Sequence, residues 1–316
     1  MPFLSSHLSS VFATTGSAVP ADFLTTPTFW LSLLAAFFYA FGALLLKRSA
    51  EGNVDVWRIT FVSNFATSIA LAGLWGFGGQ VPSLSLLWQP AVVALLFVAG
   101  QITAILALTR GDVSVATPML GIKILMVAFF TWLLLREPLP PELWISATLA
   151  TLAVALLGVS RDRAALNRAA FTAGCTLIAA SSYACFDVLV QRWSPAWGVG
   201  RFPPVMGFFA AAYSLVLIPR FKQPLRSVPG SVWPYLGFGS ALIGIQGLLI
   251  ISTIAHWGHA AAANVVYSSR GLWSVLLVLA LGHWLAQDEH ALGRKMLLLR
   301  LAGATLLTGA ILLLVN

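Results

Sequence analysis

Two cationic side chains stand inside long apolar stretches of this sequence. Lys123 interrupts ATPMLGIKILMVAFFTWLLL, residues 116–135, and Arg270 lies within a second stretch, residues 260–285. A charge at the centre of a membrane helix costs about 2.5–3.5 kcal/mol on insertion scales, so each side chain must face the protein interior. We expect the pair to bind an anionic group, a carboxylate or a phosphate. The alternative is an internal ion pair with Asp187, or a polar network, that only braces the helices.

Asp187 is the one carboxylate that the sequence predicts inside an apolar segment. It follows Tyr183 by one helical turn, so the two side chains share a face. It lies about five residues from the predicted end of its helix, which is off-centre. Asp187 is a candidate proton-coupling carboxylate, or the counter-ion of a cation when no ligand is bound. The alternative is an interfacial residue that contacts water and pairs with Arg192.

Further polar and aromatic side chains within the apolar segments fit the lining of a binding cavity. Each could instead form a hydrogen bond between two helices, which is worth on average about 0.6 kcal/mol in a membrane. The predicted binding set, beside the two cations, is Tyr39, Tyr183, Gln101, Gln246, Asn64, Asn264 and Tyr267.

The composition identifies the class of protein that must hold these side chains. Of 316 residues, 59% are hydrophobic and 9% are charged, and the mean hydropathy is +0.89. A water-soluble core could not bury that much apolar surface, so we predict an all-α polytopic membrane protein. The net charge of +8 comes from scattered basic residues. Because these form no basic stripe, we expect no nucleic-acid partner.

Apolar segments of about 20 residues predict ten transmembrane helices joined by short connections. Residues 1–28 read as a flexible N-terminal tail, residues 29–159 as a first group of five helices, and residues 170–315 as a second group of five. The predicted helices are 29–47, 57–76, 90–109, 113–135, 142–159, 170–191, 202–219, 232–255, 260–285 and 297–315.

Lysine and arginine are unevenly distributed between the two sets of connections. Thirteen lie near connections that follow odd-numbered segments, whereas the opposite side has Arg136, Arg192 and Arg201. Positive residues favour the cytoplasm. This bias predicts both termini outside, in a protein that we expect in the plasma (inner) membrane.

The sequence contains an internal repeat. Residues 33–48 (LLAAFFYAFGALLLKR) align with residues 177–192 (LIAASSYACFDVLVQR) at an offset of 144, with seven identities in 16 positions. A second, weaker alignment at an offset of 147 pairs Lys123 with Arg270. Because five is an odd number of crossings, the two groups of five helices would be inverted relative to each other. Inverted repeats of this kind are typical of alternating-access transporters.

These segments resemble the drug/metabolite transporter superfamily, of the EamA type. The residues that carry the resemblance are LLAAFFYAFGALLLKRS, from residue 33, and LALTRGDVSVATPMLGIKILMVAFFTWLLLREPLP, which ends in Glu137-Pro138 and Leu139-Pro140. No Glu-Pro follows the ninth segment, where AQDEHALGRK resembles an insertion. The resemblance implies ten helices around a substrate cavity, with the fifth and tenth helices at the periphery. It also implies cytoplasmic termini, opposite to the charge bias.

The resemblance implies a secondary transporter, and Lys123 and Arg270 predict that its substrate is a small anionic or zwitterionic metabolite. The family's sugar-phosphate translocators hold phosphate with lysine and arginine on the corresponding helices. One alternative is a proton-coupled exporter of amino acids or amphipathic drugs in which both cations are structural. A further alternative is a lipid-carrier flippase, or a membrane subunit that transports nothing.

The sequence gives no pattern that indicates an enzyme. We expect no catalytic residue, because there is neither a second intramembrane aspartate nor an HExxH motif. We also expect no metal and no cofactor; His256 and His259 lie close together but in a predicted turn. The expected partners are the lipid bilayer and a small-molecule substrate. Small residues at a spacing of four, such as Ala147 and Thr151, serve helix packing or a possible homodimer.

Overall fold

The computed structural model describes residues 23–110, 116, 119–157, 169–285 and 294–313. Every regular element in those ranges is helical. We number the helices α1 (Pro27–Glu51), α2 (Val56–Ala72), α3 (Trp88–Arg110), α4 (Lys123–Phe130), α5 (Pro141–Leu157), α6 (Ala169–Trp197), α7 (Phe202–Ser214), α8 (Trp233–Trp257), α9 (Ala260–Tyr267), α10 (Arg270–Leu285) and α11 (Arg294–Leu313). Short 3₁₀ turns extend α2 to Phe77 and α7 to Arg220, and a π-helical turn extends α4 to Leu135.

The first helix begins slightly before its predicted start. Pro27 occupies the first turn, where its missing N–H costs nothing, and the Thr26 hydroxyl accepts a hydrogen bond from the Phe29 N–H at 3.4 Å. Phe23, within the predicted tail, is buried with its ring centroid 5.9 Å from that of Phe29. Residues 1–22 of the tail lie outside the described ranges.

Six helical stretches in the described ranges are long and apolar enough to cross a membrane. They are Pro27–Glu51, Val56–Phe77, Leu84–Arg110, Ala170–Trp197, Phe202–Arg220 and Trp233–Trp257. Two shorter apolar helices, Lys123–Leu135 and Pro141–Leu156, also match predicted segments. The prediction of an all-α, multi-pass membrane protein is therefore confirmed, and the number of ten crossings stays a prediction.

Helices from the first and second groups of five pack against one another rather than in separate bundles. The closest partners are α1 with α8, α3 with α6, and α5 with α11. On α5, Ala147 is completely buried, as is Ala310 on α11. The small residues of α5 thus serve packing within the chain, which was one of the two predicted uses.

Both cation-bearing segments are interrupted at equivalent positions. The α-helix breaks at Gly121–Ile122 just before Lys123, and at Ser268–Ser269 just before Arg270. Three backbone hydrogen bonds at the first break recur at the second with an offset of 147 residues. At the first break the N–H groups of Ile122, Ile124 and Met126 donate to the carbonyls of Met119, Gly121 and Ile122. At the second break the N–H groups of Ser269, Gly271 and Trp273 donate, in the same order, to the carbonyls of Val266, Ser268 and Ser269. The prediction of an uninterrupted helix over 260–285 is wrong, because the chain tightens into a turn there. Pro118, the predicted kink, lies outside the described ranges.

Two connections cross at one end of the bundle with almost no space between their backbones. The Gln80 N–H donates to the Trp197 carbonyl at 2.9 Å, and a Cβ on Gly200 would lie 2.1 Å from the Gly78 carbonyl oxygen. Only glycine fits at position 200 without displacing one of the two connections.

Gly200→Ala is therefore expected to lower the free energy of unfolding by about 1–3 kcal/mol through overpacking. The measurement is the melting temperature of the purified protein in detergent. Gly76→Ala is the matched control, because a Cβ there meets nothing within 4 Å. Equal melting temperatures for both variants would contradict the tight crossing.

Candidate functional site

Lys123 and Asp187 form an ion pair between α4 and α6. The Lys123 Nζ lies 2.8 Å from the Asp187 Oδ2, and the two side chains are 15% and 4% exposed. The Asn264 amide, on α9, donates to the same carboxylate oxygen at 2.9 Å. Asp187 is thus neutralised and hydrogen-bonded, as a buried carboxylate must be.

Asp187 lies deeper than the sequence predicts. Helix α6 continues to Trp197, so Asp187 stands ten residues before its end, which corresponds to about 15 Å along the axis. The alternative of an interfacial carboxylate paired with Arg192 is wrong, because Asp187 is buried and the Arg192 guanidinium donates to the Leu134 carbonyl.

Arg270 has aromatic rather than acidic neighbours. Its guanidinium carbon lies 4.9 Å from the ring centroid of Tyr39 and 4.8 Å from that of Tyr267, as in cation–π contacts. The Tyr267 hydroxyl donates to the Gln246 Oε1 at 2.6 Å. Within the described ranges, no carboxylate pairs with Arg270. Among the described residues the two predicted cations are therefore not equivalent: Lys123 forms the internal ion pair with Asp187 that was the alternative to anion binding, whereas Arg270 pairs with no carboxylate.

Helix α9 joins the two cations into one cluster. Asn264 contacts Asp187, and Tyr267, three residues later on the same face, contacts Arg270. The Lys123 Nζ also lies 5.8 Å from the centroid of Tyr183. We call this group the central cluster. It comprises seven predicted site residues and Asp187: Lys123, Arg270, Tyr39, Tyr183, Gln246, Asn264, Tyr267 and Asp187.

One buried polar group beside the cluster has no hydrogen-bond partner. The hydroxyl of Ser269 is buried and bonds to no residue of the described chain. A buried polar group without a partner is costly, and such groups are rare in folded proteins. Ser269 immediately precedes Arg270 in the chain.

Asn64 and Gln101 form a separate hydrogen-bonded pair. Each amide nitrogen donates to the other amide oxygen at 2.7 Å, and the Asn64 nitrogen also donates to the Ser214 hydroxyl at 2.8 Å. These bonds join α2, α3 and α7. The structure brings neither side chain into contact with the central cluster, and the sequence analysis did not predict Ser214 as their partner.

A small cavity with a mixed polar and apolar lining lies one helical turn beyond the Lys123–Asp187 pair. It encloses about 20 Å³ and is lined in part by Thr131, Glu137, Gln191 and His259, which is room for about one water molecule. Burial raises the pKa of the Glu137 carboxyl and lowers the pKa of the His259 imidazole. Gln191 is not among the residues predicted from the sequence, although its position one turn after Asp187 was a signal.

Two arginines form contacts between the two groups of five helices, at opposite ends of the bundle. At the start of α2, Arg58 pairs with Asp55 at 2.6 Å, and its Nη1 donates to the Ser227 hydroxyl at 3.4 Å. At the start of α7, the Arg201 guanidinium donates to the Trp75 carbonyl at 2.7 Å and lies 4.5 Å from the Trp75 ring centroid. Each arginine joins residues of one group of five helices to residues of the other group.

The described residues contain no group of three or more histidine, cysteine or acidic side chains that could hold a metal ion. Cys175 and Cys185 are free thiols. The chemistry available in the central cluster is therefore ion pairing, hydrogen bonding and contact with aromatic rings.

Comparison with known proteins gives a family match and a fold match. The family model for the EamA-like transporter family matches residues 26–159. The probable 4-amino-4-deoxy-L-arabinose-phosphoundecaprenol flippase subunit ArnE of Pseudomonas savastanoi pv. phaseolicola (strain 1448A / Race 6) is 31% identical over 130 residues, which cover 41% of this chain and 96% of that protein.

One solved crystal structure superposes on 90% of this chain and 95% of its own chain, with a TM-score of 0.72 and 16% identity. At that identity the likeness concerns the fold alone. The curated relative matches along nearly its whole length, and the family model begins one residue before α1. The chain belongs to the EamA-like transporter family, within the drug/metabolite transporter superfamily.

Proposed function

We propose that this protein is a secondary transporter that moves a small anionic or zwitterionic metabolite across the inner membrane by alternating access. The observation that carries the proposal is Arg270, a cation that touches two tyrosines and has no carboxylate partner in the described chain. A charged side chain inside a membrane protein raises the free energy of insertion, so a cation without a carboxylate partner is a candidate ligand contact. The proposed substrate contacts are Arg270, Tyr39, Tyr267 and Gln246, with Lys123, Asp187, Tyr183 and Asn264 beside them.

The proposed architecture is ten helices in two inverted groups of five. The matched helix interruptions before Lys123 and Arg270 support it, because they recur at the offset of the sequence repeat. Discontinuous helices at the interface of two repeats commonly form the substrate sites of secondary transporters. Under this arrangement Asn64 and Gln101 hold helices together rather than bind substrate.

Alternating access requires contacts between the two groups that open at one end at a time. The contacts of Arg58 at one end and Arg201 at the other are suited to that role, because each joins the two groups. The excess of lysine and arginine at the Arg58 end favours the cytoplasm for that end. We keep this orientation, with both termini outside, as part of the proposal.

A second candidate function is flipping of a lipid-linked sugar. The name of the curated relative, a probable flippase subunit for an aminoarabinose carried on phosphoundecaprenol, favours it. An undecaprenyl phosphodiester also carries negative charge, so Arg270 would suit its head group as well. The two functions differ in whether the substrate stays attached to the membrane.

Flux through the purified protein in proteoliposomes tests the proposal. Labelled organic anions and amino acids are supplied outside, with and without unlabelled compound inside, and protein-free liposomes are the control. We expect protein-dependent uptake of at least one small soluble anion or zwitterion. Flux of none of them, together with transfer of a labelled undecaprenyl phosphodiester between leaflets, would support the second function instead.

A further inference from the structure

The charges of the central cluster restrict the substrate further, on the premise that the proposed function is correct. Lys123 and Arg270 are cations, and Asp187 is the one carboxylate that contacts either of them within the described residues. The cluster therefore carries one net positive charge. We infer that it takes a ligand with one negative charge, rather than a dianion such as a phosphate monoester or a dicarboxylate.

The position of each charge supports the inference. Asp187 accepts hydrogen bonds from both Lys123 and Asn264 at a single oxygen, and its side chain is 4% exposed. A dianion would have to pull Lys123 away from this buried carboxylate and leave Asp187 unpaired, which is costly. A monoanion at Arg270 needs no such rearrangement, because no carboxylate of the described residues pairs with Arg270.

The groups around Arg270 indicate the chemistry of the ligand that would fit there. Tyr39 and Tyr267 contact the guanidinium within 5 Å of their ring centroids, and the two rings are tilted 75° to each other. Guanidinium N–H groups that remain free can donate two parallel hydrogen bonds to a planar carboxylate or to a phosphodiester. The rings add an apolar surface for the rest of the ligand. An organic monoanion with an apolar or aromatic body fits these contacts best.

Isosteric variants change the net charge of the cluster without changing its shape. Asp187→Asn raises the net charge to two, and Gln246→Glu, next to Tyr267, lowers it to zero. Gln246→Glu places a carboxylate at the position that accepts from the Tyr267 hydroxyl and leaves the Lys123–Asp187 pair intact, so it tests the inference even if Asp187→Asn does not fold.

The test measures the binding of each probe to the purified wild-type protein and to both variants. Binding is read from the shift in melting temperature and from inhibition of labelled-substrate uptake into proteoliposomes. Two matched pairs compare a monoanion with a dianion: benzoate with phthalate, and butyrate with succinate. Phenylalanine is the zwitterionic probe, and lysophosphatidylglycerol is the phosphodiester. In the wild type we expect the monoanions to bind at least about tenfold more tightly than the matched dianions. Asp187→Asn should remove or reverse that preference, and Gln246→Glu should weaken every monoanion by about tenfold or more and favour phenylalanine.

Three outcomes would overturn the inference. They are tighter binding of dianions by the wild type, an unchanged preference in both variants, and no stabilisation by any monoanion at about 10 mM. Flux of a dianion would leave the proposed transport function standing while the inference fails. Preference for lysophosphatidylglycerol over benzoate and butyrate would keep the charge class and assign a membrane source for the ligand.

Discussion

Replacing Arg270 by glutamine is expected to weaken substrate binding by about tenfold or more, and to lower transport accordingly, without loss of stability. If Arg270 donates to the substrate anion, the variant loses a charge-assisted interaction worth about 1.5–3 kcal/mol, a roughly tenfold to hundredfold fall in affinity. No carboxylate of the described chain is left unpaired, because none pairs with Arg270. Removal of the cation also removes about 2.5–3.5 kcal/mol of insertion cost, so the melting temperature should stay equal or rise.

Two measurements on the same preparation separate a binding role from a structural one for Arg270. Uptake into proteoliposomes reports binding and translocation, and the melting temperature in detergent reports the fold. Arg226→Gln is the control, because Arg226 is exposed in the connection before α8 and makes no described contact with the central cluster. A large fall in melting temperature with Arg270→Gln, or uptake equal to that of the wild type, would contradict the binding role.

The positions of the helices follow closely from the sequence, because membrane helices depend on local apolar length. Each predicted segment overlaps a helix in the described ranges, although 260–285 is divided into α9 and α10, and the offset of 147 between Lys123 and Arg270 recurs in the backbone hydrogen bonds. The length of an apolar segment does not predict where its helix continues into polar residues. Helix α6 runs through Arg192 to Trp197 because the final turns pack against Gln89 and Phe202.

The partners of the polar side chains were far less predictable. The sequence identified Asn64, Gln101, Asp187 and Asn264 as buried polar groups, since each stands in an apolar segment. It could not tell which of them pair, because those pairs join helices that are distant in the chain. Asn64 bonds to Gln101, 37 residues away, and Asn264 to Asp187, 77 residues away. Both pairings depend on how the helices pack, which apolar periodicity does not specify.

The largest effect on stability is expected from separating Lys123 and Asp187. Lys123→Met leaves the Asp187 carboxylate buried with Asn264 as its remaining side-chain partner, and Asp187→Leu leaves the Lys123 ammonium without a counter-ion. Each single variant should cost about 3–5 kcal/mol, because an uncompensated charge remains in a medium of low polarity. The double variant Lys123→Met/Asp187→Leu removes both charges and should recover most of that loss. The measurement is a double-mutant cycle of unfolding in mixed detergent.

The exposed ion pair Arg48–Glu51 is the matched control for this cycle. Its N–O distance is 2.9 Å, close to that of Lys123–Asp187, but its side chains are 45% and 40% exposed. Water screens such a pair, so its cycle should show no measurable coupling. Equal coupling in the two cycles would contradict the view that burial makes the Lys123–Asp187 pair strong. The double variant keeps the net charge of the central cluster at one, so if it is stable yet transports nothing, the pair has a role in transport beyond bracing the helices.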